Sequence, residues 1–415
     1  MPLSILLPAI GSSGDVHPVI GLGIALKARG HRVTVVTNDI FTAPVRSGGL
    51  GFIALGSRAE AMEAMSDPRL WHVRKGIETV VEHGIIPNLR RLYDIIAANR
   101  DSTTVVAATS LCLGARVAQE KLGIPTATLH LSPAVFRSLA DSGKLGIFDL
   151  GPGKPRFLKR AIFWLADTLF MERMVGPSLN AFRATLGLAP VRGIFGSYIH
   201  SPQLVLGLFP EWFAAPQADW PANTHLTGFI LHDDDGRPAL PAGAEEFLRA
   251  GSPPVLVTPG SAAMDRERFF RTTVDACRDL GARAMLVTNH PGQLPRDLPE
   301  GIRGFSYLPF SRVLPRCSAI AYHGGIGTLS QAVRAGVPHL VVSNGFDQPD
   351  NGQRIERLGL GRTFGQGRYH RGKAARALGE LVSSPRVRAR CEEYAHRVDA
   401  RASLERACAL IEGLG

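Results

Sequence analysis

The chain has 415 residues, 45% of them hydrophobic and 20% charged, with a formal net charge of +11. That length accommodates two domains of ordinary size, each with its own core, and no stretch is polar or repetitive enough to read as disordered. The positive balance favours anionic partners such as lipid or phosphorylated substrates, while the lack of any Lys/Arg block with interleaved aromatics argues against nucleic acid.

The five cysteines, Cys112, Cys277, Cys317, Cys391 and Cys408, are odd in number and none has CxxC spacing. This points to a reduced, cytoplasmic chain without a metal site. The opening MPLSILLPAIGSSGD lacks the basic flank and small-residue cleavage site of a secretion signal and reads as a first buried strand. No uncharged apolar run reaches the roughly 20 residues that cross a bilayer. Membrane contact, if the basic charge serves one, is expected to be peripheral, at the inner face.

In chain order, residues 3–9 read as a buried strand, 11–18 as a Gly/Ser loop, 19–29 as a helix ended by Gly30, and 32–37 as a second, valine-rich strand. Strand, helix, strand at this spacing is a βαβ unit of a parallel sheet. A short strand is expected at 105–108, a helix at 113–122 closed by Gly123, and a strand at 125–131. Residues 154–174, KPRFLKRAIFWLADTLFMERM, break the rhythm, being basic at the start and rich in aromatics. They fit a helix flanking the core, a wall of an apolar pocket, or a face lying on a membrane. A Pro/Trp/Asp-rich stretch, 212–241, then reads as a connection. The rhythm restarts with strands at 254–258, 284–288, 319–322 and 339–343 and a helix at 266–280. The expectation is an α/β chain of two Rossmann-like domains facing across a cleft. The first spans 1–215, a linker 216–240, the second 241–385, and a helical segment 386–415 packs back toward the first. Open sheets of this kind bind ligands at the carboxyl ends of their strands.

Three loops carry chemistry. HGGIGT, residues 323–328, leaves a strand and opens a helix. A helix N-terminus offers unpaired amides and partial positive charge, glycines let a phosphate approach the backbone, and His323 and Thr328 can add hydrogen bonds. The alternative is a tight turn with a cap, and the absence of GK[ST] excludes a P-loop. NGFDQPDN follows a strand, and Asp347 with Gln348 makes a carboxylate–amide pair suited to sugar hydroxyls, although these residues also favour turns. GSSGDVHP places Asp15 and His17 in the first βα loop, where Asp15 is either a helix cap or a general base and His17 a second titrating group or a loop cover.

These motifs, in this order, resemble the family 1 nucleotide-sugar glycosyltransferases of GT-B fold, along nearly the whole chain. YLPFSRVLPRCSAIAYHGGIGTLSQAVRAGVPHLVVSNGFDQPDN, residues 307–351, is similar to the family's donor-binding signature. MSDPRLW, LGARVAQEKLGIP and LFPEWFAAPQADWP add a likeness to bacterial rhamnolipid rhamnosyltransferases and to sterol- and macrolide-modifying members. The resemblance implies roles at matching positions. Tyr307 would stack on the nucleotide base and the Leu308 backbone would hydrogen-bond it. His323, Gly325, Gly327, Thr328 and Ser261 would bind the diphosphate, Gln331 the ribose in place of the usual glutamate, and Asp347 and Gln348 the donor sugar. Asp15 would be the catalytic base. The plant enzymes have a histidine there, supported by an aspartate, but the matching stretch here, AATSLCL, has no acid. The implied activity is inverting, metal-independent transfer of a sugar from a UDP- or dTDP-sugar to a hydroxyl of a lipophilic small-molecule or lipid acceptor, with no cofactor beyond the nucleotide-sugar co-substrate. A nucleotide-sugar 2-epimerase and a non-catalytic nucleotide-sugar-binding relative are the alternatives. The triple aspartate at 233–235 reads as a solvated acidic turn.

Overall fold

Valine-rich strands with short loops need both faces covered, and the computed structural model shows two parallel sheets flanked by helices, in agreement with the expected fold class. It describes residues 1–72, 75–145, 148–233, 240–261 and 266–415. The chain forms two units, residues 1–232 with 399–415, and residues 233–398.

The first unit holds β1 (Ser4–Pro8), β2 (Arg32–Thr37), β3 (Gly51–Ala54), β4 (Thr104–Thr109), β5 (Thr126–His130), β6 (Leu204–Gly207) and β7 (Thr224–Leu226). They pair in parallel in the order β3-β2-β1-β4-β5-β6-β7. β7 falls inside the expected linker, and Trp220, Phe229 and Ile230 around it are buried. Aromatic and branched residues there fill the sheet's far edge, so residues 216–232 belong to the first unit. Asp234 and Asp235 of the acidic turn lie outside the described residues. Asp233 is not merely solvated: its carboxylate accepts the Ser311 amide at 2.7 Å.

Helix α1 (Ser13–Ala28) begins earlier than its apolar residues indicate. Asp15 and His17, expected in a loop, lie in its first two turns. The sequence reading begins the helix at 19, after Pro18. Here the Asp15 carboxylate accepts the backbone amide of Ser12 at 2.7 Å and its hydroxyl at 3.1 Å, which starts the helix ahead of the proline. Helices α2 (Asn88–Asn99) and α3 (Leu113–Leu122) pack on each other, and α4 (Arg156–Ala166) and α5 (Glu172–Thr185) follow with one wide turn between them.

In the second unit, β8 (Val255–Thr258), β9 (Ala284–Val287), β10 (Ile302–Phe305), β11 (Ala319–Tyr322), β12 (His339–Ser343) and β13 (Gly361–Gly365) pair in parallel in the order β10-β9-β8-β11-β12-β13. Its principal helices are α6 (Glu267–Asp279), α7 (Ile326–Arg334), α8 (Gln348–Arg357), α9 (Arg371–Ser383) and α10 (Pro385–His396). The expected segment 386–415 is divided. α10 stays with the second unit, and α11 (Ala400–Glu412) joins the first.

Packing explains that division. Ala407, Cys408 and Ile411 of α11 are fully buried in one cluster with Ile5, Ile20 and Leu22. At its end Glu412 accepts from Arg29 at 2.6 Å and meets His31 Nε2 at 2.8 Å. The hydrogen bond from Arg29 holds the Glu412 carboxyl down at about 2. Replacing Ile411, which is 0% exposed, with alanine should destabilise the first unit by about 2–5 kcal/mol in urea unfolding, the usual cost of a large-to-small core change.

Candidate active site

In each sheet the strand order reverses once. β1 runs to β3 on one side and β4 to β7 on the other, while β8 runs to β10 on one side and β11 to β13 on the other. Loops that leave neighbouring parallel strands at such a reversal diverge and open a crevice. The first reversal lies between β1 and β4 and carries the loop of Asp15. The second lies between β8 and β11 and carries Gly260–Ser261 and HGGIGT. The chemistry-bearing loops therefore occupy the ligand position of each unit.

In the first unit the Asp15 carboxylate is packed under Gly11. A Cβ built on Gly11, whose φ is +144°, would lie 2.3 Å from Asp15 Oδ2. Burial raises the Asp15 pKa, and the hydrogen bonds from Ser12 oppose the rise. His17 sits edge-on to Phe41 at 6.4 Å and 6.1 Å from the His232 ring.

Beside Asp15, across the reversal, a network appears that the sequence did not reveal. Ser110, just beyond β4, meets His130 Nδ1 at 2.7 Å, and His130 Nε2 meets His200 Nδ1 at 2.9 Å. Phe136 stacks between the His200 ring and Trp220. Desolvation lowers both imidazole pKa values, that of His200 to about 4, so both rings are neutral at pH 7. Ser110 lies in AATSLCL, noted before only for lacking an acid. Its partners are 20 and 90 positions away, and no local pattern links them.

In the second unit, α7 starts at the extended Gly325, and its first internal bond runs from Leu329 N to Gly325 O at 3.0 Å. The amides of Ile326, Gly327 and Thr328 precede that bond at the positive end of the helix. His323 stands beside them. Its Nδ1 is sealed from solvent without a hydrogen-bond partner among the described residues. Burial, and secondarily the charge of Arg266, push its pKa down to about 4. The ring is therefore neutral at pH 7 with one proton. A sealed, unpartnered Nδ1 favours placing that proton on Nε2, where it can find an acceptor. Two glycines make room for the ring: a Cβ would come within 2.7 Å of it at Gly260 and within 2.3 Å of Nε2 at Gly325. Ser261 follows Gly260 and is exposed, and Thr328 is half-buried in the first turn of α7.

The Asp347 loop joins this arrangement through a residue to which the sequence reading gave no role. Asn351 Nδ2 donates to Asp347 Oδ2 at 2.7 Å and to the Gly324 carbonyl at 3.0 Å. The pair is spaced i,i+4 on one helix face, a signal present in DQPDN. Gln348 begins α8. It is buried, and its Oε1 accepts the Asn344 amide at 3.0 Å, so its acceptor closes its own loop. Phe346, between them, is the only non-glycine at positive φ among the described residues, at 58°. Strained backbone of this kind is commonly held at ligand loops. Arg266, 8% exposed, faces the Asn344 amide, whose oxygen accepts from it at 2.7 Å once the amide is turned to satisfy both its ends, and so ties the β8 loop to the β12 loop. Tyr307 and Leu308 follow β10, two strands from β8; the Tyr307 hydroxyl donates to the Asp233 carbonyl at 2.9 Å, which fixes its ring. Gln331 is 8% exposed in the second turn of α7.

Comparison with known proteins agrees with the two-sheet fold. Residues 5–140 match the glycosyltransferase family 28 N-terminal domain, and residues 272–407 match the erythromycin biosynthesis protein CIII-like C-terminal domain. The chain is 29% identical over 424 residues to the O-mycaminosyltylonolide 6-deoxyallosyltransferase of Streptomyces fradiae, covering 99% of this chain and 97% of that one. The chain is a glycosyltransferase of the GT-B type. Its fold is shared with the kitacinnamycin glycosyltransferase, with a TM-score of 0.77 at 23% identity over 100% and 99% of the two chains. It is shared likewise with the glycosyltransferase VinC, with a TM-score of 0.70 at 20% identity over 100% of both chains. The relatives named here are natural-product glycosyltransferases by their descriptions, and none of those named is a rhamnolipid rhamnosyltransferase.

The glycosyltransferase thus has its Asp347 loop latched to its HGGIGT loop by one buried amide. Asn351 is fully buried. Asn351→Leu leaves the Gly324 carbonyl and Asp347 without that donor and should cost about 1–3 kcal/mol in urea unfolding of the second unit.

Proposed function

We propose that the enzyme transfers a sugar, with inversion and without a metal ion, from a UDP- or dTDP-sugar to a hydroxyl of a lipophilic small molecule. The observation that carries this reading is the donor set between β8 and β11. It comprises three amides at the start of α7, the Thr328 hydroxyl, and a neutral His323 whose one proton is directed to Nε2. These groups match the oxygens of a diphosphate, and their fixed positive ends can offset the charge a leaving nucleotide gains. A divalent ion is not needed for that task where such donors are already oriented.

In this reading Asp15 accepts the proton of the acceptor hydroxyl while that oxygen attacks the anomeric carbon. The bond from that carbon to the diphosphate oxygen breaks on the opposite face, and the nucleoside diphosphate leaves with the electron pair. The raised pKa of Asp15 suits a base that must take a proton from a weakly acidic hydroxyl. Asp347, oriented by Asn351, holds sugar hydroxyls. Tyr307 and the Leu308 backbone receive the base, and Gln331 the ribose, through an uncharged amide. VinC was solved in complex with dTDP, which supports a thymidine nucleotide, and the 6-deoxyallosyltransferase relative supports a deoxyhexose as readily as glucose. The macrolide-modifying relative supports a natural-product acceptor.

Calorimetric titration with UDP and with dTDP in EDTA tests the donor site. Binding of either is expected, His323→Ala should weaken it about ten- to a hundredfold, the range of a hydrogen bond to a charged group, and no binding by the folded protein would refute the assignment. For the base, Asp15→Asn should reduce turnover by about 10²–10⁴ with nucleotide affinity unchanged. The acid limb of kcat/KM should lie above the usual aspartate range, because Asp15 must be ionised to act. Ser12→Ala removes a bond that stabilises the carboxylate, and should move that limb to higher pH; an unmoved limb would transfer the role to His17.

A further inference from the structure

Helix α4 is folded inside out. Six of the twelve large apolar side chains exposed among the described residues lie between Phe157 and Phe170. Phe157 is 76% exposed and Trp164 64%. At 100° per residue, Phe157, Ala161, Trp164, Leu165 and Thr168 share one stripe, flanked by Leu158 and Leu169. The opposite face holds the polar groups. Lys159 is 0% exposed, and its Nζ donates to the Ala140 carbonyl at 2.5 Å. Asp167, in the wide turn that follows, is ion-paired with Arg137, whose guanidinium lies 5.4 Å from the Phe163 ring. These polar anchors hold the helix so that its aromatic stripe points to solvent.

Charge indicates what covers the stripe. From 154 to 166 the chain has four basic residues and no acidic one. With Lys159 turned inward, the exposed cations are Arg156 and Arg160, along one edge of the apolar stripe, and Lys154 just before the helix. An apolar face with tryptophan, phenylalanine and leucine, edged by cations, is the composition that settles at the boundary of headgroups and acyl chains. No helix among the described residues is long and apolar enough to cross a membrane, so the contact is made by lying on the surface. We infer that α4 and the turn after it dock the enzyme on an anionic lipid bilayer, with Phe157, Trp164 and Leu165 in the acyl boundary and Arg156 and Arg160 at the phosphates. This goes beyond the transfer reaction and does not depend on the nature of the donor or acceptor.

The test is co-sedimentation of the full chain, without nucleotide, with vesicles of phosphatidylcholine alone and of phosphatidylcholine with phosphatidylglycerol, at low and high salt. Binding to the anionic vesicles that weakens with salt is expected. Lys154→Gln/Arg156→Gln/Arg160→Gln should reduce it by about a hundredfold, given about fivefold per lost cation. Phe157→Ser/Trp164→Ser/Leu165→Ser should abolish it, and both variants should retain the wild-type unfolding midpoint and nucleotide titration because the replaced side chains are exposed. No sedimentation of the wild type with anionic vesicles, or sedimentation indifferent to both variants, overturns the inference. Light scattering that shows a dimer dissolved by the apolar variant also overturns it and assigns the face to a second copy. Since nucleotide binding is read separately, failure here is distinguishable from failure of the donor site.

Discussion

A parallel sheet sends all its strands out along the same edge, and a reversal of strand order leaves one place on that edge where neighbouring loops part. The arrangement of this glycosyltransferase depends on that constraint, applied twice. Between β1 and β4 it places Asp15 and Ser110 on neighbouring strand ends, and between β8 and β11 it places Gly260 next to His323. Neither location requires a special sequence beyond the strands. The sequence supplies the groups that occupy it, and space for them, with Gly11 over one carboxylate and Gly260 and Gly325 around one imidazole.

Burial then sets the protonation states on the two sides in opposite senses. Desolvation disfavours charge whichever its sign. It raises Asp15, so the carboxylate is a stronger base than an exposed one, and it lowers His323, so the ring is a neutral donor. The same effect keeps His130 and His200 uncharged while each still bonds its neighbour. The same physics accounts for both from position alone.

Rigidity around the second crevice comes from bonds between loops. Asn351 spans Asp347 and Gly324, Arg266 reaches Asn344, and Gln348 closes the turn that Phe346 strains. These contacts connect the ends of β8, β11 and β12, so the separate loops act as one seat. The first unit gains a comparable tie from α11, whose apolar face fills the core beneath α1.

The sequence by itself determined the repeated strand–helix–strand rhythm, because alternation of valine-rich runs with Gly-bounded helices is a local property. It also determined the three loops that carry chemistry, because glycine, histidine and aspartate at strand ends have few other uses together. Tertiary structure decided the rest. The start of α1 depends on a carboxylate reaching back to Ser12, ahead of the proline that follows. The stretch read as a linker became an edge strand once Trp220 and Ile230 had a core to enter. Gln348 was legible as an amide in this loop, and only the fold showed that its Oε1 accepts the Asn344 amide. The Ser110–His130–His200 chain was invisible, and the sequence left open which face of α4 meets solvent, since each depends on which surfaces meet. Residues far apart in sequence leave no periodic trace of being neighbours, and burial is a property of the assembled fold.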